Sequence, residues 1–304
     1  MIKHYDTKFE EYITCSEKKN LHKTNEVFSS DKINNYSLNT NLILYGPPGI
    51  GKYTQALKII KEFSLSGLKY ERKININTQR NKIYYIKISD IHYEVDMELL
   101  GCNAKTLWND IFKSILDILS TKQTHSGIIL CKNFHKTHTE LLDIFYSYMQ
   151  SMEYKNIKIS FIILTESISF IPNNILGKSF IIPISRPTKS RYKRCFPKTE
   201  NNDIFNITNI KSFVNNNNLD SNKIIVNEIV HFIKNNHPIS VNSRNFIDKI
   251  LIYQLDVHDC MWDIITTLSN ENIIKDYKQL DDITELLYDF LKLYNNNYRP
   301  IYHL

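Results

Sequence analysis

The sequence predicts an α/β fold: a mostly parallel sheet covered on both faces by helices, followed by an all-helical C-terminal part. Three observations predict it. Short apolar runs (LILY at 42–45, GIILC at 127–131, ISFIILT at 159–165, SFIIPI at 179–184) alternate with amphipathic stretches, as parallel strands joined by crossover helices require. From about residue 187 the strand-like runs vanish and helical periods such as IVNEIVHFIKNN and ITELLYDFLKLY take over. Finally, three of the chain's 7 glycines, Gly46, Gly49 and Gly51, fall together between the first apolar run and the first strongly amphipathic stretch.

The elements follow in order. The first forty residues are polar and weakly patterned, and no element is assigned there. LILY stops at a glycine–proline turn, the signature of a buried strand. KYTQALKIIKEF then places Ala56, Leu57, Ile60 and Phe63 at helical spacing. Residues 69–89 alternate apolar and polar around a central NTQRN and read as a β-hairpin. Leu107, Trp108, Ile111, Phe112, Ile115, Leu116 and Leu119 mark an amphipathic helix over 104–120, and TELLDIFYSYMQS (139–151) marks another. Pro172 and Asn173-Asn174 read as a loop between the last two strands, and Asn215–Asn218 as a loop between helices. The change near Ser185-Arg186-Pro187 is the expected domain boundary.

Composition bounds the function. The 304 residues suffice for two or three domains, and 42% hydrophobic with 23% charged residues is ordinary for a folded chain. No run of eighteen apolar residues exists, and MIKHYDTKFEEY has no signal-peptide core, so an intracellular, soluble protein with no membrane span is expected. Five dispersed cysteines without a CxxC pair read as reduced thiols. A net charge of +6 permits a polyanionic partner without demanding one. Heavy asparagine and isoleucine use reads as AT-rich coding.

Gly46-Pro47-Pro48-Gly49-Ile50-Gly51-Lys52 fits the glycine–lysine core of a phosphate-binding loop, with a strand before it and a helix after it. Glycines let backbone N–H groups turn inward as an anion nest, the helix N-terminus adds partial positive charge, and Lys52 reaches the β- and γ-phosphates. The next position departs from the pattern. A P-loop needs Ser or Thr after the lysine to coordinate Mg²⁺; here stands Tyr53, too long and bulky, and Thr54 is turned about 100° away along the helix. Hydrolysis also needs acids at the end of the neighbouring strand. GIILC instead continues into Lys132-Asn133-Phe134-His135, with no carboxylate. The residues thus imply a nucleotide pocket with crippled hydrolysis. His92, His135 and His138 have no paired ligand spacing, so no metal is assigned to them. Trp108 and Trp262, on helical apolar faces, are expected in core or inter-subunit packing.

These segments resemble the clamp-loader branch of the AAA+ ATPases: the replication factor C small subunits, and most closely the subunit 3 type. LILYGPPGIGKYTQALKII looks like the family's strand, phosphate loop and helix, and Tyr53-Thr54 is similar to the bulky residue and Thr of subunit 3. The stretch holding His92, Glu94 and Val95 resembles the family's "HxEV" segment. IILCKNFHKTHTELLDIFYSYMQ looks like its second ATPase strand and helix, NSRNFIDKIL like the helix bearing the second sensor arginine (here Arg244), and RPIYHL like the start of a late collar helix. Lys132 and Asn133 replace the acidic motif. Gly177-Lys178-Ser179 stands where the family has Ser-Arg-Cys, so Lys178 is the candidate trans-acting residue. The first-sensor asparagine falls at Thr165 or Glu166.

The resemblance implies an AAA+ P-loop domain over 1–186, a helical lid over 187–254 and a short helical collar or oligomerisation region over 255–304. It implies ATP held by Gly46–Thr54 and Arg244 with Mg²⁺ weak or absent, and a hetero-oligomer with other clamp-loader subunits. The implied partners are a sliding clamp and primer-template DNA, the latter contacted without sequence preference. The expected work is clamp loading in DNA replication, at a nuclear or cytoplasmic site, without turnover by this subunit. The basic run Lys189–Arg194 is a DNA patch or a solvated linker. Two alternatives stand beside this: an inactive AAA+ scaffold that only mediates protein–protein contact, and a P-loop phosphotransferase, which lacks its hydroxyl and its acid here.

Overall fold

The computed structural model describes residues 8–18, 20–22, 40–77, 83–150, 157–195, 221–235, 241–252, 255–274 and 276–294. The chain forms two compact units, residues 1–210 and 211–304. The loop expected at Asn215–Asn218 and the terminal RPIYHL lie outside the described residues.

The first unit contains α1 (Phe9–Lys18), β1 (Asn41–Tyr45), α2 (Lys52–Phe63), β2 (Arg72–Asn77), β3 (Ile83–Ile88), β4 (His92–Asp96) and a 3₁₀ segment (Glu98–Asn103). It continues with α3 (Ala104–Thr121), β5 (Ser126–Lys132), α4 (Thr139–Gln150), β6 (Lys158–Thr165), the single turn α5 (Asn173–Leu176), β7 (Ser179–Pro183) and α6 (Lys189–Cys195). The sheet order is β2-β3-β4-β5-β6-β1-β7. β4, β5, β6, β1 and β7 pair in parallel, and the β2–β3 hairpin joins β4 antiparallel.

Strand period 2 explains why the central strands are apolar throughout. Ile43, Ile129, Cys131, Phe161 and Ile163 enter one core with α3 and α4, while Leu42, Leu44, Ile128, Leu130, Ile162 and Leu164 enter the other with α1 and α2. Trp108 is fully buried in the first core, its ring tilted on Phe145 at 5.1 Å and edge-on to Tyr148 at 6.1 Å.

Three elements depart from the sequence expectation. α1 sits in the stretch given no element, because its buried face holds only Phe9, Ile13 and Ser16. β4 is buried at His92, Tyr93, Glu94 and Val95, so two polar residues in a strand covered on both faces hide its character. The loop after Pro172 carries the turn α5, where the fixed φ of proline suits the residue ahead of a helix.

The second unit is helical: α7 (Ser221–Lys234), α8 (Val241–Ile252), α9 (Val257–Asn270) and α10 (Tyr277–Leu293). Ile225, Ile250 and Val257 form one small core, and Val226, Val230 and Leu268 another. Asp256 caps α9 by accepting from the N–H groups of His258 and Asp259. Trp262 is 41% exposed, its indole N–H donating to His258 Nε2 at 3.1 Å, so this tryptophan is not core. No helix among the described residues is long and apolar enough to cross a membrane.

Candidate nucleotide-binding site

Parallel pairing brings the C-terminal ends of β4, β5, β6 and β1 to one edge of the sheet, where open α/β sheets bind ligands. The glycine loop leaves β1 there. Gly46 stands at φ 156°, and a Cβ on it would lie 2.2 Å from the Ile184 carbonyl oxygen, so only glycine fits the turn. Gly49 and Gly51 have φ of 69° and 92°, in the left-handed region. Gly51 occupies the N-cap of α2 and makes no side-chain cap bond, the arrangement in which a helix start can receive an anion. The Lys52 ammonium donates to the carbonyls of Gly46 (2.7 Å) and Pro47 (2.8 Å). Burial lowers its pKa, while the Glu166 carboxylate beyond the end of β6 acts in the opposite sense. Glu166 also faces His135 at 3.8 Å.

A segment with no assigned role buttresses the loop. His22, buried, bonds through Nε2 to the Ile50 carbonyl at 2.7 Å. Its neighbour Leu21 is buried as well, and the Asn20 carbonyl accepts from Cys195 Sγ at 3.5 Å. Only a lone histidine in a polar stretch marks this contact in the sequence.

Tyr53 and Lys132, the two departures from the P-loop pattern, meet on one carboxylate. The parallel register pairs Asp96 with Lys132, which sets Glu94, Asp96 and Lys132 on the face that α2 covers. Glu94 Oε1 accepts the Tyr53 hydroxyl at 2.6 Å and lies 3.5 Å from His92 Nε2, while its Oε2 lies 3.4 Å from Lys132 Nζ. The ammonium also sits 5.7 Å from the Tyr53 ring centroid. Asn133, in the left-handed region at φ 51°, donates to Asp96 Oδ1 at 3.0 Å. Burial pushes the Glu94 carboxyl up, but Lys132, His92 and the phenol outweigh it and hold the pKa at about 2. Burial and the Glu94 charge push the Tyr53 phenol up, so it stays a donor. Burial disfavours the Lys132 ammonium, and Glu94 with Asp96 more than restores it.

This donor set does not fit Mg²⁺, which P-loop sites ordinarily hold through a hydroxyl and acidic side chains. The hydroxyl position carries a phenol turned to Glu94, and an ammonium takes the acidic position. Asp96 serves Asn133 and the Glu98 N–H.

The carboxylate gives a pH prediction. Its folded pKa lies below the ordinary 4.5, so its contribution to stability is complete above about pH 4.5 and is lost as pH falls toward 2. The difference in melting temperature between wild type and Glu94→Gln is therefore expected to shrink from pH 5 to pH 2.5. A constant gap across that range refutes the charge assignment.

The remaining predicted residues lie as follows. Ile50 is buried, Pro47 and Pro48 are exposed, and Thr54 is half-buried on α2. Thr165 is buried, with its hydroxyl donating to the Ser167 carbonyl and its own carbonyl accepting from the Gly46 N–H. Lys178 is exposed just before β7, whose Ser179 pairs with Asn41 at the end of β1 opposite the loop. Arg244 is exposed on α8 of the second unit. Within the basic run, Lys193 and Arg194 are exposed while Tyr192 is buried. Asp256, His258 and Asp259 gather in the open, where Asp256 already acts as a helix cap.

Strand, glycine nest, lysine and helix define the first unit as a P-loop nucleotide-binding fold. Residues 42–186 match the model of the ATPase family associated with various cellular activities (AAA). This segment is an AAA-family ATPase domain, and the architecture is the AAA+ fold with a helical C-terminal region. Among solved structures, the chain is similar to a point mutant of Thermotoga maritima RuvB at 14% identity and TM-score 0.41, covering 92% of this chain and 84% of that one. It is similar to C. elegans PCH-2 at 8% identity and TM-score 0.37, covering 77% of this chain and 52% of that one, so it spans about half the PCH-2 chain. A chain in the HORMA:CdnC:Trip13 complex of E. coli MS115-1 is 10% identical with TM-score 0.38, covering 72% and 76%. No curated protein sequence matches the chain.

Proposed function

We propose that the protein is a clamp-loader-type AAA+ subunit of DNA replication that holds ATP through Gly46–Thr54 and does not turn it over. In this reading Arg244 belongs to a lid over 187–254, residues 255–304 form the collar, and the subunit sits in a hetero-oligomer that places a sliding clamp on primer-template DNA inside the cell. Lys178 is the residue that acts on a neighbouring subunit's nucleotide, as a point charge without the planar fork of an arginine. One observation carries the proposal: an intact glycine nest with its lysine stands beside an acidic position filled by Lys132 and Asn133. A subunit so built grips without hydrolysing and acts as a stator for active neighbours.

Two measurements test this. Phosphate release from ATP by the purified chain is expected to match that of Lys52→Ala, and a clear excess over that control refutes the stator role. Isolation from its natural source is expected to bring larger ATPase-competent relatives with it; a chain that brings none of them refutes the hetero-oligomer, and a chain that binds no nucleotide favours the inactive scaffold. A second reading has one observation behind it: Glu166 lies close enough to Lys52 to act on its charge and faces His135. Hydrolysis that Glu166→Gln abolishes would assign the acid of an active site to the residue after β6.

A further inference from the structure

Both positions at which a P-loop site meets its metal are filled here by groups that converge on Glu94, one by a hydrogen bond and one as an ion pair. The Tyr53 phenol donates to one oxygen of that carboxylate and the Lys132 ammonium pairs with the other. Glu94's side chain is 2% exposed, so its charge cannot be left alone: an unpaired buried carboxylate is strongly disfavoured, and the two partners are held by that cost. Lys132 is 31% exposed at the open edge of the sheet, where its fixed positive charge repels any divalent ion approaching the end of β5. The second carboxylate of β4, Asp96, is engaged by Asn133 and by the backbone of the 3₁₀ segment.

We propose that Tyr53, Glu94 and Lys132 form an internal ion-pair lock that takes the place of the divalent cation and makes this site one for metal-free nucleoside polyphosphate. Glu94 is the positioning residue: it sets the metal requirement by holding the two side chains that exclude the ion. The inference rests on the nucleotide-binding reading of Gly46–Lys52. It goes beyond that reading by specifying the ionic form of the ligand. The loop amides and Lys52 then provide the attraction for phosphate without a bridging ion.

The test is equilibrium binding of a fluorescent ATP analogue to the full chain, in excess MgCl₂ and in excess EDTA. The dissociation constant is expected to be about tenfold or more weaker in MgCl₂ than in EDTA, since excess Mg²⁺ complexes the nucleotide and withdraws the metal-free form that the site takes. Equal affinity in the two buffers, or tighter binding in MgCl₂, overturns the inference. In Tyr53→Ser/Lys132→Asp, which frees Glu94 and restores the hydroxyl and the acid, binding is expected to become at least about tenfold tighter with Mg²⁺ than without it. A folded double variant that gains no preference for the Mg²⁺ complex overturns the lock as the cause. Should that variant not fold, titration of wild type with Mn²⁺ and ATP decides by electron paramagnetic resonance: protein-bound metal–nucleotide signal overturns the inference, and its absence together with nucleotide binding supports it. The underlying reading fails separately. If Lys52→Ala binds the analogue as wild type does, or wild type binds none in either buffer, the nucleotide site itself falls and this inference with it.

Discussion

Replacing Lys132 by Asp and Asn133 by Glu, the direct way to rebuild an acidic pair, is expected to give a protein with no ATP turnover above the Lys52→Ala background. It is also expected to be less stable than wild type by about 3 kcal/mol or more. The reason lies on β4. Lys132→Asp removes the ammonium 3.4 Å from Glu94 and sets a third carboxylate beside Glu94 and Asp96. Asn133→Glu exchanges an amide donor, 3.0 Å from Asp96 Oδ1, for a second acceptor of like charge. It also puts glutamate at φ 51°, a left-handed conformation that asparagine tolerates far better. Tyr53 meanwhile still points its phenol at Glu94. Urea unfolding and a phosphate-release assay check both halves. Vigorous turnover by the double variant would show that Tyr53 is no obstacle to the metal.

Gly46→Ala is expected to cost about 3 kcal/mol of stability and to abolish nucleotide binding together. The added methyl would lie 2.2 Å from the Ile184 carbonyl oxygen and 2.8 Å from Ile50 Cδ1. The Ile50 side chain can turn away, but the carbonyl belongs to a residue whose own N–H is bonded to Tyr45 at 2.8 Å, so relief must come from the loop. Displacing Gly46 moves a carbonyl that anchors the Lys52 ammonium. Calorimetry and analogue binding read the two effects. An unchanged melting temperature would mean that β1 and β7 shift apart freely.

The strand–loop–helix unit was legible in the sequence because its signals are local. Three glycines, a lysine and two flanking periodicities lie within about twenty residues, and φ above zero at Gly49 and Gly51 is what such spacing requires. The lock is not legible there, although each of its residues stands out: Tyr53 as an obstacle, Lys132 as a lost acid, Glu94 as part of a resembling segment. What joins them is a parallel register and a phenol spanning 41 residues of separation, and neither is encoded by spacing. α1 escaped for another reason. A helix that buries two apolar side chains carries almost no period, and Phe9 and Ile13 acquire meaning only once the α2 face is present to receive them. Trp262 shows the converse, an apolar residue on a helical stripe whose indole is satisfied by a histidine one turn away and needs no core.

The imidazole of His22 on the Ile50 carbonyl has a consequence for how the glycine loop moves. That carbonyl belongs to the residue between two glycines, where backbone rotation is least hindered, and the clasp comes from a stretch some twenty residues upstream of β1. The neighbouring Asn20 is tied in turn to the thiol of Cys195, beyond the last strand. The suppleness of the motif is thus governed by residues 20–22, which hold the loop on one side and the end of α6 on the other. A fragment trimmed to begin at β1 would keep every glycine and the lysine, yet hold them slack.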